Sequence, residues 1–281
     1  MSRRWKQVRH QLRRNRPAQF SLFVLFIFVI AALCAGLSPY DPDRMALGAR
    51  TLPPDAAHWF GTDEYGRDYF TRALYGGQIS LMVGFLAMLF STLIGTVVGT
   101  VSGYFGGWLD NLMMRAVDIL MAIPAFFLLL VVNAYLKPGV DNIILIISLL
   151  TWMNMSRLVR AETLSVKERE YVLYARASGE NPLRIIVRHI IPGVLPTIIV
   201  AATLNIASAI LMESTLSFLG LGVQAPAASW GSMLNNAQSY IGEASWLAMF
   251  PGILILLTVF SFNVLGDVFR TAFEPGANRD E

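Results

Sequence analysis

Charged residues, cysteine and histidine are all scarce in this chain. Only 15% of its 281 residues are charged and 55% are hydrophobic, whereas about 25% of the residues in soluble domains are charged. Cys34 is the single cysteine, which excludes a disulfide within one chain. His10, His58 and His189 lie far apart without metal-ligand spacing, so we expect no metal site. The composition indicates that lipid surrounds most of the protein.

Catalytic and nucleotide-binding motifs are missing as well. The sequence contains no GxxxxGK[ST] phosphate loop, no GxSxG turn and no HExxH helix. An acid–base role for Asp63, Glu64 and Asp68 would need a pocket that the sequence does not indicate, and carboxylates beside glycine more often form turns. We therefore expect no catalytic residue and no cofactor held by this chain. Any energy source must lie on another polypeptide.

Long uncharged segments predict an all-α membrane protein with six spanning helices. Residues 20–37 form the first, after residues 1–19 with seven Lys/Arg and no acidic residue. A cleaved signal peptide is the alternative, but this run is long, lacks a clear cleavage site and precedes further spans. The other predicted spans are Ile79–Val101, Ile119–Leu136, Asn142–Ser156 (extended by Leu158 and Val159), Ile190–Met212 and Ala244–Gly266.

The charge distribution predicts the orientation in the membrane. Residues 157–189 hold seven Lys/Arg against four Glu, whereas residues 213–243 hold no basic residue. The positive-inside rule then places both termini in the cytoplasm. The predicted segments are a cytoplasmic start 1–19, a first span 20–37, a periplasmic loop 38–77, a five-helix core 78–267 with a cytoplasmic loop 157–191, and a cytoplasmic tail 268–281.

The basic loop has the turn chemistry of a helix–turn–helix elbow. Glu162–Ser178 has helix-forming residues and no proline or glycine, which predicts one helix. Gly179 can end it in the left-handed conformation, and Asn181 can cap a second helix with Pro182 at its first position. Ala175, Ala177 and Ser178 would keep the elbow slim, Tyr171, Val172 and Tyr174 would be apolar anchors, and Arg176, Arg184 and Arg188 would meet acidic groups of a partner. The alternative is a solvated loop that only sets topology.

Three other features have local interpretations. Gly95, Gly99 and Gly103 recur every four residues and favour close helix packing, within the subunit or at a subunit interface. Asp63 is expected to cap a turn, and Arg67 to pair with Asp68.

The segment 213–243 is uncharged after its first residue until Glu243 and is too apolar for a plain loop, which predicts a partly re-entrant element covered by protein. Ser229 is expected to cap a short helix, Trp230–Ser239, with Trp230 as an interfacial anchor. We place Glu213 near the outer end of its span, as a structural ion partner or a pathway residue. A charged side chain costs little free energy at that position.

The segment EYVLYARASGENPLRIIVRHIIP (Glu170–Pro192) resembles the cytoplasmic coupling loop of ABC importer permeases. It matches that family at Ala175, Gly179, Ile190 and Pro192, and it departs at Leu173 and Tyr174, where the family has Glu and Ala. Further resemblance to the second permease subunit of peptide and nickel importers lies in HWFGTDEYGRDYFTRALYGGQISL (His58–Leu81), RAVDILMAIP (Arg115–Pro124), LSFLGLGVQAPAASWGSML (Leu216–Leu234) and NVLGD (Asn263–Asp267).

The resemblance implies a type I ABC importer permease fold in the bacterial inner membrane and transport of peptides or nickel. The implied partners are a homologous permease, two cytosolic ATPases that bind ATP and Mg²⁺, and a periplasmic or lipid-anchored substrate-binding protein, with no nucleic acid. ATPase coupling would fall to Glu170, Tyr171, Val172, Tyr174, Ala175, Gly179, Arg184 and Pro192. The outer mouth and binding-protein docking would fall to Gly61, Thr62, Asp63, Gly66, Arg67, Asp68 and Trp230.

Two other functional classes remain open from the residues themselves. A secondary transporter driven by an ion gradient often carries ionisable residues at mid-membrane, whereas Asp118, Glu213 and Asp267 all lie near predicted span ends. An intramembrane enzyme would show paired catalytic groups within the spans, and none is visible. Both classes are disfavoured.

Overall fold

A computed structural model describes residues 2–135 and 139–273, and these residues fold almost entirely into helices. Their helices are α1 (Ser2–Arg14), α2 (Arg16–Leu33), α3 (Tyr69–Phe105), α4 (Gly107–Ala122), α5 (Ala125–Tyr135), α6 (Val140–Val166), α7 (Glu170–Ala177), α8 (Pro182–Ile185), α9 (Ile191–Phe218), α10 (Trp230–Ala237) and α11 (Trp246–Phe273). A π-helical segment, Ile186–Ile190, joins α8 to α9.

Within the described ranges, five helical segments are long and apolar enough to cross a membrane: Arg16–Leu33, Tyr69–Phe105, Val140–Val166, Pro182–Phe218 and Trp246–Phe273. The predicted all-α membrane fold is confirmed. The predicted third span, Ile119–Leu136, is instead divided between the end of α4 and the 11-residue α5, and its last residue lies outside the described ranges.

Proline explains the division of that span. Ile123 has extended backbone (φ −82, ψ 124), as expected of a residue whose α conformation would clash with a following proline. Pro124 therefore separates α4 from α5.

The glycine stripe is the seam between α3 and α6. A Cβ atom on Gly95 would lie 2.6 Å from Cβ of Met155, and one on Gly99 would lie 2.5 Å from the carbonyl oxygen of Ser156. Only glycine allows the two backbones to come this close. The interpretation as packing within the subunit is confirmed. Helix α6 continues beyond the expected Val159 to Val166, and a Cβ on Gly103 would lie 2.8 Å from Cβ of Thr163.

The long helices have two distinguishable ends. We call residues 167–190 the elbow; α6 ends there and α9 begins just beyond it. At the opposite end lie the connections 34–68 and 219–245, which we call the loop end. Helix α3 runs from the loop end to the elbow end, and α9 packs against both α3 and α11.

Candidate functional site

The elbow begins with a break between two helices, and no glycine or proline in the sequence predicts it. Helix α6 ends at Val166 and α7 starts at Glu170, with Arg169 in extended conformation (φ −73, ψ 143). The expectation of one helix from Glu162 to Ser178 is therefore wrong. Val166 and Val172 are both fully buried in one cluster, although a straight helix would point them about 120° apart. Burial of both valines explains the turn.

The second half of the elbow follows the predicted turn chemistry. Gly179 has φ +76 and donates its N–H to the Arg176 carbonyl at 3.1 Å, while Glu180 N–H reaches the Ala175 carbonyl at 3.1 Å. These two bonds form a Schellman motif. Oδ1 of Asn181 accepts from Leu183 N–H at 2.9 Å, with Pro182 in the first turn. The predicted helix end and helix cap are both confirmed.

The elbow has an inner face and an outer face. Val172 (0% exposed) and Ala175 pack against Ile185, Ile190 and Val194. They are closed to a partner protein, so the prediction that Val172 is an exposed anchor is wrong.

The outer face of the elbow is accessible. Tyr174 is 76% exposed and Leu183 is 69% exposed, and a Cβ on Gly179 would meet nothing within 4 Å. The remaining predicted coupling residues, Glu170, Tyr171, Arg184 and Pro192, are also exposed. An open groove of about 780 Å³ runs beside them, lined by Asn181, Leu183, Arg184, Val187, Arg188 and Pro192.

Polar contacts close the elbow on itself and tie it to α3. Nε2 of His189 lies 3.1 Å from Oε2 of Glu180 across the turn. Lys167 Nζ donates to the carbonyl of Gly103 at 3.0 Å, and the guanidinium of Arg176 lies 5.3 Å from the ring centre of Tyr104. The elbow is thereby tied to the end of α3.

Asp110 and Arg160 form a bidentate pair that the sequence reading missed. Arg160 Nε and Nη2 each donate to a different oxygen of the carboxylate, both at 2.6 Å, and the Ser102 hydroxyl also donates to it. The Arg160 hydrogen bonds, helped by Ser102, hold the pKa of Asp110 below its ordinary value. Fifty residues separate the pair, so no local spacing could have revealed it.

At the loop end, Asp63, Arg67 and Asp68 of the GTDEYGRD segment are buried, and Glu64 is half-buried. Oδ1 of Asp63 accepts from the backbone N–H of Tyr65 and Arg67 at 2.9 Å, which confirms the predicted turn. Oδ2 of Asp63 accepts from Nε of Arg67 at 2.6 Å. Asp68 instead pairs with His58 Nδ1 at 2.8 Å and caps α3 through Thr71 N–H. The predicted Arg67–Asp68 pair is therefore wrong.

The other predicted mouth residues support the shape of this loop. Gly61 and Gly66 both have φ +75, and a side chain on Gly66 would collide with the backbone of Ala46. Thr62 is buried and accepts from Leu52 N–H at 2.9 Å. Burial of Glu64, reinforced by the nearby Asp63 carboxylate, raises the pKa of Glu64.

Trp230 is a core residue. Its side chain is buried, and its Nε1–H donates to the Ala73 carbonyl at 2.9 Å. The expectation of an interfacial anchor is therefore wrong. Ser229 does cap α10, through a reciprocal pair with Ser232. This helix ends at Ala237 and is followed by a 3₁₀ turn to Tyr240, slightly different from the predicted Trp230–Ser239.

Glu213 is fully buried, contrary to its expected position near an exposed end. Ser80 of α3 donates to Oε2 at 3.0 Å, and Ser217 donates to Oε1 at 2.7 Å. Hydroxyl groups, and no cation among the described residues, surround the carboxyl group. Ser217 follows it by four positions, a helical spacing that was a usable signal for this contact.

A cavity of about 460 Å³ opens between the two connections at the loop end. Arg67, Arg72 and Tyr65 line one side, and Gln224, Asn235 and other residues of the second connection line the other. The structure thus brings together two segments that carry the family resemblance, His58–Leu81 and Leu216–Leu234.

Known proteins resemble this chain over almost its full length. The family described as "Binding-protein-dependent transport system inner membrane component" matches residues 91–279. The "N-terminal TM domain of oligopeptide transport permease C" matches residues 3–54.

Individual relatives give the same result. The dipeptide transport system permease protein DppC of Bacillus subtilis (strain 168) is 43% identical over 271 residues, covering 96% of this chain and 85% of that protein. The oligopeptide transport system permease protein OppC of Escherichia coli (strain K12) is 41% identical over 274 residues, covering 96% and 91%.

A solved structure shares the fold. The inward-facing MetNI methionine ABC transporter aligns with a TM-score of 0.60 and 20% identity, over 71% of this chain and 95% of the solved chain. The long helices, the elbow and these comparisons lead to one assignment. The chain belongs to the family of inner-membrane permease components of binding-protein-dependent transport systems.

Proposed function

We propose that this chain is one of two permease subunits of an ATP-driven peptide importer. Relatives at 43% and 41% identity are named as dipeptide and oligopeptide permeases, which supports peptides rather than nickel as the cargo. ATP and Mg²⁺ bind to two partner ATPases in the cytosol. The observation that carries the proposal is the elbow, with its buried inner face and its accessible outer face.

The elbow is built to transmit force to several helices at once. It connects directly to α6 on one side and to α9 on the other. Its inner face is packed into the cluster that holds Val159 of α6 and Val194 of α9, and close-packed interiors transmit displacement rather than absorb it. The glycine seam carries motion of α6 on to α3. A push on Tyr174 or Leu183 would then move three long helices together.

This coupling depends on shape. The family's Glu and Ala are replaced by Leu173 and Tyr174 in this chain, so a signature carboxylate at that position is not required. The Schellman turn at Gly179 and the groove around Arg184 supply the docking surface instead. ATPase closure at this surface would switch the bundle between inward-open and outward-open states. Both termini and the elbow lie in the cytoplasm in this arrangement.

The loop end faces the periplasm and receives the substrate-binding protein. Asp63, Arg67, Asp68 and Trp230 are buried, so we assign them the role of holding the shape of the mouth. The exposed Met45 and Tyr65 at the edge of the cavity are the surface that a binding protein would touch.

Transport by the assembled importer tests this proposal. The two permeases, the two ATPases and the binding protein are reconstituted in proteoliposomes, and uptake of a labelled dipeptide and of Ni²⁺ is followed. We expect dipeptide uptake that requires both ATP and the binding protein. Uptake of Ni²⁺ alone would contradict peptides as the transported substrate. Uptake driven by an ion gradient without ATP would contradict coupling to the ATPases.

A further inference from the structure

Helix α1 is held at a fixed bend relative to α2. A single residue, Asn15, separates the two helices and has extended backbone (φ −97, ψ 104). Its Oδ1 accepts from Ala18 N–H at 3.2 Å, and Gln19 Nε2 donates to the Arg13 carbonyl at 2.7 Å. The first bond caps α2, and the second joins the last turn of α1 to the first turn of α2. The basic start of the chain is therefore a positioned helix.

One face of α1 is basic and the opposite face is attached to the bundle. Val8 is buried, and α1 contacts α2 and α11. Lys6, Arg9, His10 and Arg13 are exposed and follow the spacing i, i+3, i+4, i+7, which aligns them along one side of a helix. That side lies opposite Val8. Residues 1–19 themselves contain no acidic residue.

The exposed apolar surface of α2, next to α1, indicates what the basic face contacts. On α2, Phe20, Phe23 and Phe26 are exposed, Phe23 by 62%, and hydrocarbon is the solvent that such a surface requires in a membrane protein. This lipid-facing surface begins four residues after Arg16. The basic face therefore lies where the hydrocarbon ends and the headgroups begin. Outside the buried Val8, Leu12 is the one aliphatic side chain within residues 6–14, so the attraction is electrostatic.

We propose that the basic face of α1 binds the phosphate groups of anionic phospholipids. Clusters of four or more Lys/Arg beside a spanning helix attract anionic lipid, and Lys6, Arg9 and Arg13, together with the exposed Arg16 at the start of α2, make four. The fixed bend would hold these residues at headgroup depth without a further loss of conformational entropy. Bound lipid would anchor the start of α2 and, through α11, one side of the bundle.

Lipid photolabelling tests the proposal. The assembled importer is placed in nanodiscs that contain a photoactivatable headgroup analogue of either phosphatidylglycerol or phosphatidylcholine, and crosslinks to residues 6–19 are mapped by mass spectrometry. We expect stronger labelling by phosphatidylglycerol, reduced in 0.5 M salt because screening weakens exposed charge interactions. The R9Q/R13Q variant should lower phosphatidylglycerol labelling about fivefold or more. The R44Q/R50Q variant, with equal charge loss at the loop end, should not.

Three outcomes would overturn the proposal: equal labelling by the two lipids, labelling unchanged in R9Q/R13Q, or crosslinking of α1 to a partner subunit in place of lipid. Assembly of each variant is checked by co-elution with the partner subunits. The salt dependence is measured on the unaltered protein, and the single variant R13Q is compared with R44Q, so that poor assembly of the double variant does not prevent a result.

Discussion

The hydroxyl of Ser217 donates to Oε1 of Glu213 at 2.7 Å and accepts from the backbone N–H of Val223 at 3.1 Å. A second relay mirrors it, because Ser80 donates to Oε2 of Glu213 and accepts from Trp230 N–H at 3.2 Å. The middle of the connection between α9 and α10 and the first residue of α10 are thus both tied to one carboxyl group. Glu213 holds the wall of the loop-end cavity in place.

Replacing Glu213 should loosen that wall. In E213A both relays lose their acceptor, and each buried polar group left unsatisfied costs about 1–3 kcal/mol. In E213Q one oxygen remains, so the loss should be smaller. We expect melting temperatures in the order wild type, E213Q, E213A.

The E213A substitution should also make the connection between α9 and α10 more accessible to solvent. In a Cys34→Ser background, a cysteine at the exposed position Gln224 should react faster with a maleimide when Glu213 is Ala, while a cysteine at Leu37 should react at an unchanged rate. Equal melting temperatures for the wild type, E213Q and E213A would show that Glu213 does not stabilise the two hydrogen-bond relays.

The α3–α6 seam should be intolerant of a single methyl group. A Cβ at Gly99 would lie 2.5 Å from the Ser156 carbonyl oxygen and 2.8 Å from Val159 Cβ, so G99A should destabilise the bundle by about 1–3 kcal/mol. Gly252 lies within α11 with nothing within 4 Å of an added Cβ, so G252A is the matched control and should melt like the wild type. Indistinguishable melting of the two variants would contradict the packing account.

At Gly179 the obstacle to substitution is conformational rather than steric. The position has φ +76 and open space around it. An alanine in the left-handed conformation costs about 1–2 kcal/mol, whereas asparagine adopts it more readily. ATP-dependent uptake by the assembled importer should therefore fall further in G179A than in G179N. The reverse order, or equal uptake, would show that the Schellman turn is not what coupling requires.

The Asp110–Arg160 pair predicts an acid-dependent loss of stability. Arg160 and Ser102 lower the pKa of Asp110 in the folded protein, below the usual aspartate value of about 3.9. The stabilisation of the folded protein by the Asp110–Arg160 pair is therefore fully present at pH values above about 3.9. The contribution is lost as the pH falls through the lowered pKa. D110N should therefore melt below the wild type at pH 7, and the difference should shrink toward pH 3. A difference independent of pH would exclude this linkage.

Local chemistry made several parts of this structure predictable. The Gly179 turn, the Asn181–Pro182 start and the Ser229 cap depend on residues within five positions of one another. The glycine stripe needed only its period of four to predict a close helix seam. Long apolar runs identified five of the six predicted spans without knowledge of their neighbours.

Features that depend on distant residues were not predictable. The break after Val166 exists because Val172 shares its cluster, and no glycine or proline marks it. His58 and Asp68 are ten residues apart, and Asp110 and Arg160 are fifty apart. Trp230 would suit an interface by composition, yet Ala73 offers its indole N–H a buried acceptor. In each case tertiary packing decided what the local sequence left open.

Crosslinking at the outer face of the elbow tests the coupling role most directly. In a Cys34→Ser background, a photoreactive maleimide is attached to Tyr174→Cys, a site that is 76% exposed, in the assembled importer. A matched label on Leu37→Cys at the loop end, 82% exposed, serves as the control. We predict that the Tyr174 label crosslinks to an ATPase subunit, with a yield that changes between nucleotide-free and ATP-bound states, and that the Leu37 label does not. Absence of an ATPase product from Tyr174→Cys in every nucleotide state would contradict the account.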